Sequence, residues 1–170
     1  MPRKLLMKEG FYPVRPNQPD PPLAVVPLIP YTMDVHGVHL VANARRGRQI
    51  LRFLVDTGAS NTVIDLEKIR HGDAHPHDSA LQIQTAGADG GRQNAALVRM
   101  NGIKLGTVLL PAWDVAGMDF TGIRSAYKSL SLRPVSGILG GDILQYYRAR
   151  IDYGRGVLEL FTPHVAPPFG

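Results

Sequence analysis

The chain has 170 residues, 44% of them apolar, and no apolar run approaching the roughly 18 that cross a bilayer as a helix, which excludes global disorder and a helical membrane protein. A net charge of +5 and a pI near 9.7 would suit an anionic partner, yet the basic residues run from Arg45, Arg46 and Arg48 to Arg148, Arg150 and Arg155 without an aromatic-interleaved cluster. A solvated basic surface on one globular domain is expected, with no nucleic-acid and no membrane partner, and the absence of cysteine excludes disulfides and thiol chemistry.

The opening residues, MPRKLLMKEGFYPVRPNQPDPP, lack a sustained apolar stretch and a small-residue cleavage site, so no secretory signal is read and a cytoplasmic location is expected. Eight of the fourteen prolines lie in the first thirty residues. Residues 1–22 therefore read as a flexible arm, 23–163 as the folded domain and 164–170 as a tail, while LAVVPLI (23–29) suits a sheet edge where proline is tolerated.

Short β-like segments follow in chain order: YTMDVHGVHLVANA (31–44), QILRFLV (49–55), NTVI (61–64), ALQIQTA (80–86), AALVRM (95–100), TVLLPAWDVA (107–116), RARIDY (148–153) and GVLELF (156–161). Turn residues punctuate them at RRGR (45–48), ADGG (88–91), Asn101-Gly102, Leu105-Gly106 and Tyr153-Gly154-Arg155-Gly156. Only LEKIR (66–70), FTGIRSAYKSL (120–130) and DILQYY (142–147) read as helical. Many short strands with few helices predict an all-β fold, closed into a barrel or packed as a sandwich.

One run, FLVDTGASNTVI (53–64), interrupts two apolar segments with a single carboxylate, Asp56, whose burial would be costly without a purpose. Some 80 residues later another apolar strand ends in glycine, Gly137-Ile138-Leu139-Gly140. This pairing resembles the retropepsin-like aspartic proteases, the single-lobed relatives of pepsin that include retroviral and bacterial members. The resemblance extends over about residues 31–162. It implies that Asp56 is the acid-base carboxylate, that the Thr57 hydroxyl anchors the loop to main-chain atoms, and that Gly58 permits the tight turn. It further implies that Ile138, Leu139 and Gly140 thread past the loop in a psi-shaped arrangement, and that Ala59 and Ser60 adjoin substrate.

Amide hydrolysis needs one water deprotonated and one carbonyl oxygen protonated, which two aspartates sharing a proton accomplish because like charges about 3 Å apart cannot both ionise. Of the eleven aspartates only Asp56 precedes Thr-Gly or Ser-Gly; Asp119-Phe-Thr-Gly is spaced wrongly and Asp152-Tyr-Gly has the wrong middle residue. One chain thus supplies half a dyad, and the expected enzyme is an isologous homodimer acting on peptide or protein substrates.

Residues 80–99 read as strand, glycine-rich tip and strand, with Asp-Gly a hairpin signal. By resemblance the tip, Gly87, Ala88, Asp89, Gly90 and Gly91, is the flap that closes over an extended peptide. Two departures stand out. Where viral members carry an acidic residue and an arginine that pair near the dimer contact, this chain has Ser60 and Gly141, and the C-terminal TPHVAPPFG is poorly suited to an interface strand.

No cofactor and no metal are expected: His71, His75 and His77, with Asp73 and Asp78, match no metal-ligand spacing and read as a polar loop, and Trp113 reads as packed against the sheet. The reading from another class is a non-catalytic module of the same fold that binds peptide or protein partners without cutting them.

Overall fold

A computed structural model of the chain describes residues 21–33, 37–69, 83–86 and 92–163. The expected tail at 164–170, nearly all of the arm at 1–22 and the histidine-rich loop lie outside the described residues.

The architecture is mostly strand. In chain order come β1 (Ala24–Met33), β2 (Gly37–Arg46), β3 (Gln49–Val55), β4 (Val63–Asp65), a 3₁₀ turn (Leu66–Lys68), β5 (Ile83–Ala86), β6 (Arg92–Met100), β7 (Lys104–Leu105), β8 (Val108–Leu109), β9 (Trp113–Met118), α1 (Thr121–Ser129), β10 (Gly137–Leu139), α2 (Gly141–Tyr146), β11 (Arg150–Asp152) and β12 (Val157–Leu160). They form one mixed twelve-stranded sheet in the order β11-β12-β1-β2-β3-β10-β4-β9-β6-β5, with β7 and β8 alongside β2.

Several elements differ from their sequence reading for identifiable reasons. The stretch 31–44 is not one strand but the end of β1 and most of β2, antiparallel to each other in the register Met33 to Gly37. LAVVPLI lies along an edge, but of two ladders in turn: β1 pairs with β12 through Ala24–Pro27 and with β2 through Leu28–Met33. Because it changes partner midway, each half has a side without a ladder, which accommodates Pro27 and Pro30 despite their missing N–H groups. LEKIR forms only the 3₁₀ turn, opened by the Asp65 carboxylate accepting from the Glu67 N–H at 3.2 Å. TVLLPAWDVA is broken around Pro111 into β8 and β9.

Two apolar clusters hold the sheet in shape. The larger gathers Leu51, Phe53, Ile64, Leu105, Trp113, Leu139, Ile143 and Leu158, all 2% exposed or less, from β3, β4, β7, β9, β10, α2 and β12. Trp113 is packed as expected, 1% exposed and edge-on to Tyr146 with centroids 5.1 Å apart. The smaller cluster seats α1, whose Tyr127 joins Tyr31, Val41, Val63, Ala116 and Val135. Burial pushes the Tyr127 hydroxyl up from its ordinary pKa and takes that of Tyr147 up to about 12.

The α1 helix is also tied by charge. Arg124 donates to the fully buried carboxylate of Asp65, and at 2.8 Å to both Glu67 Oε1 and Thr121 Oγ1, so its pKa is raised by the Asp65 contact above all. Asp65 thus joins the end of β4 to the helix, and a buried carboxylate there is tolerated because it is paired.

Candidate active site

The site grows out of one crossing. β10 lies between β3 and β4, parallel to the first (Gly137 to Phe53, Leu139 to Val55) and antiparallel to the second (Gly137 to Ile64). The segment between β3 and β4 therefore leaves the sheet, turns and re-enters around β10, and Asp56 is the first residue beyond β3. Ile138 and Leu139, with Gly140 directly after them, are the residues that pass between the two strands.

Main-chain hydrogen bonds hold the loop to the crossing strand. Asp56 N–H donates to the Leu139 carbonyl at 3.1 Å, Gly141 N–H to that of Ala59 at 2.7 Å, and Asp142 N–H to that of Ser60 at 3.1 Å. At Ser60 and Gly141, where no charged pair is available, the two segments are joined through backbone groups. Within the loop the Gly58 N–H donates to Asp56 Oδ1 at 2.8 Å, and Ala59 N–H to the Asp56 carbonyl at 3.3 Å. A Cβ on Gly58 would stand 3.2 Å from that same carboxylate oxygen, so glycine gives the N–H its close approach.

The requirement at Gly140 is stricter. A Cβ there would lie 2.5 Å from the carbonyl carbon and oxygen of Asn61 and 2.8 Å from the amide nitrogen of Thr62, all backbone atoms. Two segments of the chain cross at van der Waals contact, and only glycine leaves the room.

Beneath the loop is a hub the sequence reading passed over, Asp142. Its Oδ1 accepts from Thr62 N–H (2.9 Å), Thr62 Oγ1 (2.6 Å) and Ile143 N–H (2.8 Å), and its Oδ2 from Trp113 Nε1 (3.1 Å). Thr62 Oγ1 in turn accepts from Gly140 N–H at 3.0 Å. This carboxylate therefore binds the β4 entry, α2 and β9 together behind the Asp56 loop. The signal was available in the sequence: an acid in the first turn of a helix after two glycines, and one tryptophan whose indole N–H needs an acceptor once buried. Asp142→Ala is expected to leave the proton of the buried Thr62 hydroxyl and the Trp113 N–H without an acceptor and to lower stability by about 3 kcal/mol, read by urea unfolding. Asp142→Asn keeps the Thr62 acceptor but points an amide N–H₂ at the indole, so an intermediate loss is expected.

Asp56 itself is half-buried, and Thr57 is exposed with its hydroxyl in no hydrogen bond among the described residues. Both line a cleft of about 290 Å³ whose apolar walls come from Val38 and Leu40 of β2, Leu54 and Val55 of β3, and Ile151 beyond them. His39 also faces it, sharing a 2.8 Å hydrogen bond with the Tyr127 hydroxyl. Sequence reasoning missed this wall because it depends on Ile151 of β11 being brought beside the β2–β3 pair, which only the sheet order reveals.

The other two aspartates weighed as motif residues have local duties. Asp119 accepts from the Thr121 N–H (2.8 Å) and hydroxyl (2.6 Å) at the start of α1, contacts that lower its pKa. Asp152 accepts from the Arg155 N–H at 2.9 Å in the turn after β11. The hairpin expected at 80–99 is present as β5 antiparallel to β6, with Ala86 opposite Arg92, while its tip, Gly87, Ala88, Asp89, Gly90 and Gly91, lies outside the described residues. Among the described residues no group of His, Asp or Glu could hold a metal ion, and no helix is long and apolar enough to cross a membrane.

The sequence profile of the family described as aspartyl protease matches residues 42–143, which takes in β3, the Asp56 loop, β10 and the start of α2. The chain belongs to the aspartyl protease family. Solved structures similar to this aspartyl protease family member include the retroviral protease-like domain of Ddi1 from Leishmania major, at 14% identity over 78% of this chain and 98% of that one, with a TM-score of 0.47. A retropepsin-like aspartic protease from Rickettsia conorii is similar at 18% identity over 80% of this chain and 87% of that one, with a TM-score of 0.42. No protein of curated function matches it in sequence.

Proposed function

We propose that the chain is an aspartic endopeptidase that works as a homodimer, each protomer contributing Asp56 to a shared dyad at the two-fold axis. The observation that carries this reading is the placement of Asp56: the sole aspartate of an Asp-Thr-Gly loop, half-exposed at a cleft, its loop fixed by the crossing of β10. One carboxylate takes the proton of the attacking water while the other, protonated, donates to the substrate carbonyl oxygen; the proton taken from water then passes to the leaving amine, and the collapsing diol returns a proton to the dyad. Gly58 N–H donates to the Asp56 Oδ1 within each loop and holds the carboxyl group in place. Thr57, exposed beside the carboxylate, would meet its counterpart across the axis, and Ala59 and Ser60 would adjoin the peptide. The β5–β6 hairpin would act as the flap, with Gly87, Ala88, Asp89, Gly90 and Gly91 offering main-chain groups to an extended substrate. The apolar walls of the cleft favour a hydrophobic side chain next to the scissile bond.

Half a dyad per chain has a direct kinetic consequence. Specific activity towards a peptide mixture should fall on dilution, with its midpoint at the monomer–dimer midpoint found by sedimentation. Cleavage whose specific activity stays constant into the monomer range would contradict the shared dyad; a stable dimer that cleaves no peptide between pH 3 and 7 would contradict the protease reading itself.

A further inference from the structure

At the other end of β3 a second, larger concavity of about 580 Å³ opens between α1, the 3₁₀ turn and the segment leading into β10. It is separate from the Asp56 cleft: Arg52, which lines it, precedes Asp56 by four residues, roughly 13 Å along an extended strand. Four cations of this scattered basic chain converge on it, namely Arg52, Lys68, Arg124 and Lys128. Arg124 is neutralised by Asp65 and Glu67. For Arg52, Lys68 and Lys128 no carboxylate lies within ion-pair distance among the described residues.

The lining adds a hydroxyl. Ser136, only 3% exposed, accepts the Arg52 backbone N–H on its hydroxyl oxygen at 3.2 Å, and its own proton goes to no acceptor among the described residues. Four cations set against the two carboxylates of Asp65 and Glu67 leave a net of two positive charges around a concavity that a buried hydroxyl also lines, a polar, positively charged bowl of small-molecule size. One carboxylate would leave one of the two net charges unmatched. Adjacent phosphoryl groups match them in number and offer several oxygens to charge-assisted hydrogen bonds.

We propose that this groove binds a compact phosphate-bearing ligand with at least two neighbouring phosphoryl groups, such as a diphosphate or triphosphate ester. The assignment is independent of the peptidase reading, since it uses neither Asp56 nor its cleft.

The test is calorimetric titration of the full chain with inorganic pyrophosphate, ATP and adenosine. Pyrophosphate and ATP are expected to bind one per chain and adenosine not at all. Tighter binding of ATP would place the base and sugar in the groove; equal binding would assign it to the phosphoryl groups alone. Lys68→Ala with Lys128→Ala should weaken binding at least about tenfold, Lys68→Arg with Lys128→Arg should largely retain it, and Lys104→Ala, an exposed cation outside the groove, should leave it unchanged. Thermal melts of each variant establish that it is folded. No binding at millimolar pyrophosphate, equal weakening by Lys104→Ala, or equally tight binding of hexaglutamate would overturn the proposal.

Discussion

Asp56→Asn is expected to reduce peptide cleavage by about a thousandfold, the scale of losing a positioned acid-base group, while leaving the melting temperature within about 2 °C. The substitution is nearly isosteric, and the side-chain oxygen that accepts the Gly58 N–H survives in Asn, so the loop keeps its internal contact. What is lost is the ability to take a proton from water. Asp119→Asn and Asp152→Asn are the informative companions, because both carboxylates sit in Asp-x-Gly-like contexts yet serve the start of α1 and the turn after β11. Cleavage should persist in both. An Asp56→Asn protein that still cut peptides would place the chemistry elsewhere in the chain.

The second large effect is structural. Gly140→Ala is expected to cost about 3 kcal/mol or more, at the upper end of overpacking, because the added carbon meets the main chain of Asn61 and Thr62 and no rotamer change relieves it. The backbone at Gly140 is extended, with φ −95°, so the cost comes from contact and not from conformation. Gly47 offers the contrast. Its φ is +57° but its Cβ position is open, so Gly47→Ala should cost only about 1 kcal/mol. Denaturant unfolding of the pair separates the two origins. Because the displaced segment leads directly from the Asp56 loop into β4, activity should fall in Gly140→Ala even under conditions where the protein remains folded.

Much of this was legible in the chain because each signal was local. Alternation and turn glycines marked β3, β6 and β12, and Gly102, Gly106 and Gly156 do adopt positive φ where turns were expected. The Asp56 loop and the Gly137–Gly140 segment were readable as two strand ends, each halted by small residues. What stayed hidden depended on long-range pairing. The proline-bearing β1 reads as an edge, but its change of partner from β12 to β2 does not show in the sequence. The Asp142 hub draws Thr62 and Trp113 from 80 and 29 residues away. Arg52, Lys68 and Lys128 read as isolated surface charges because only the packing of α1 against the sheet brings them to one groove.

The central claim, that two chains share one catalytic centre, is tested most directly by mixing. Wild-type protein and Asp56→Asn are combined at equal concentration, allowed to exchange subunits at fixed total protein above the dimer midpoint, and assayed for initial cleavage rate. A shared dyad predicts a fall to about one quarter of the unmixed wild-type rate, since only dimers with both aspartates work. A fall to about one half would mean that each chain acts alone, and would contradict the dyad.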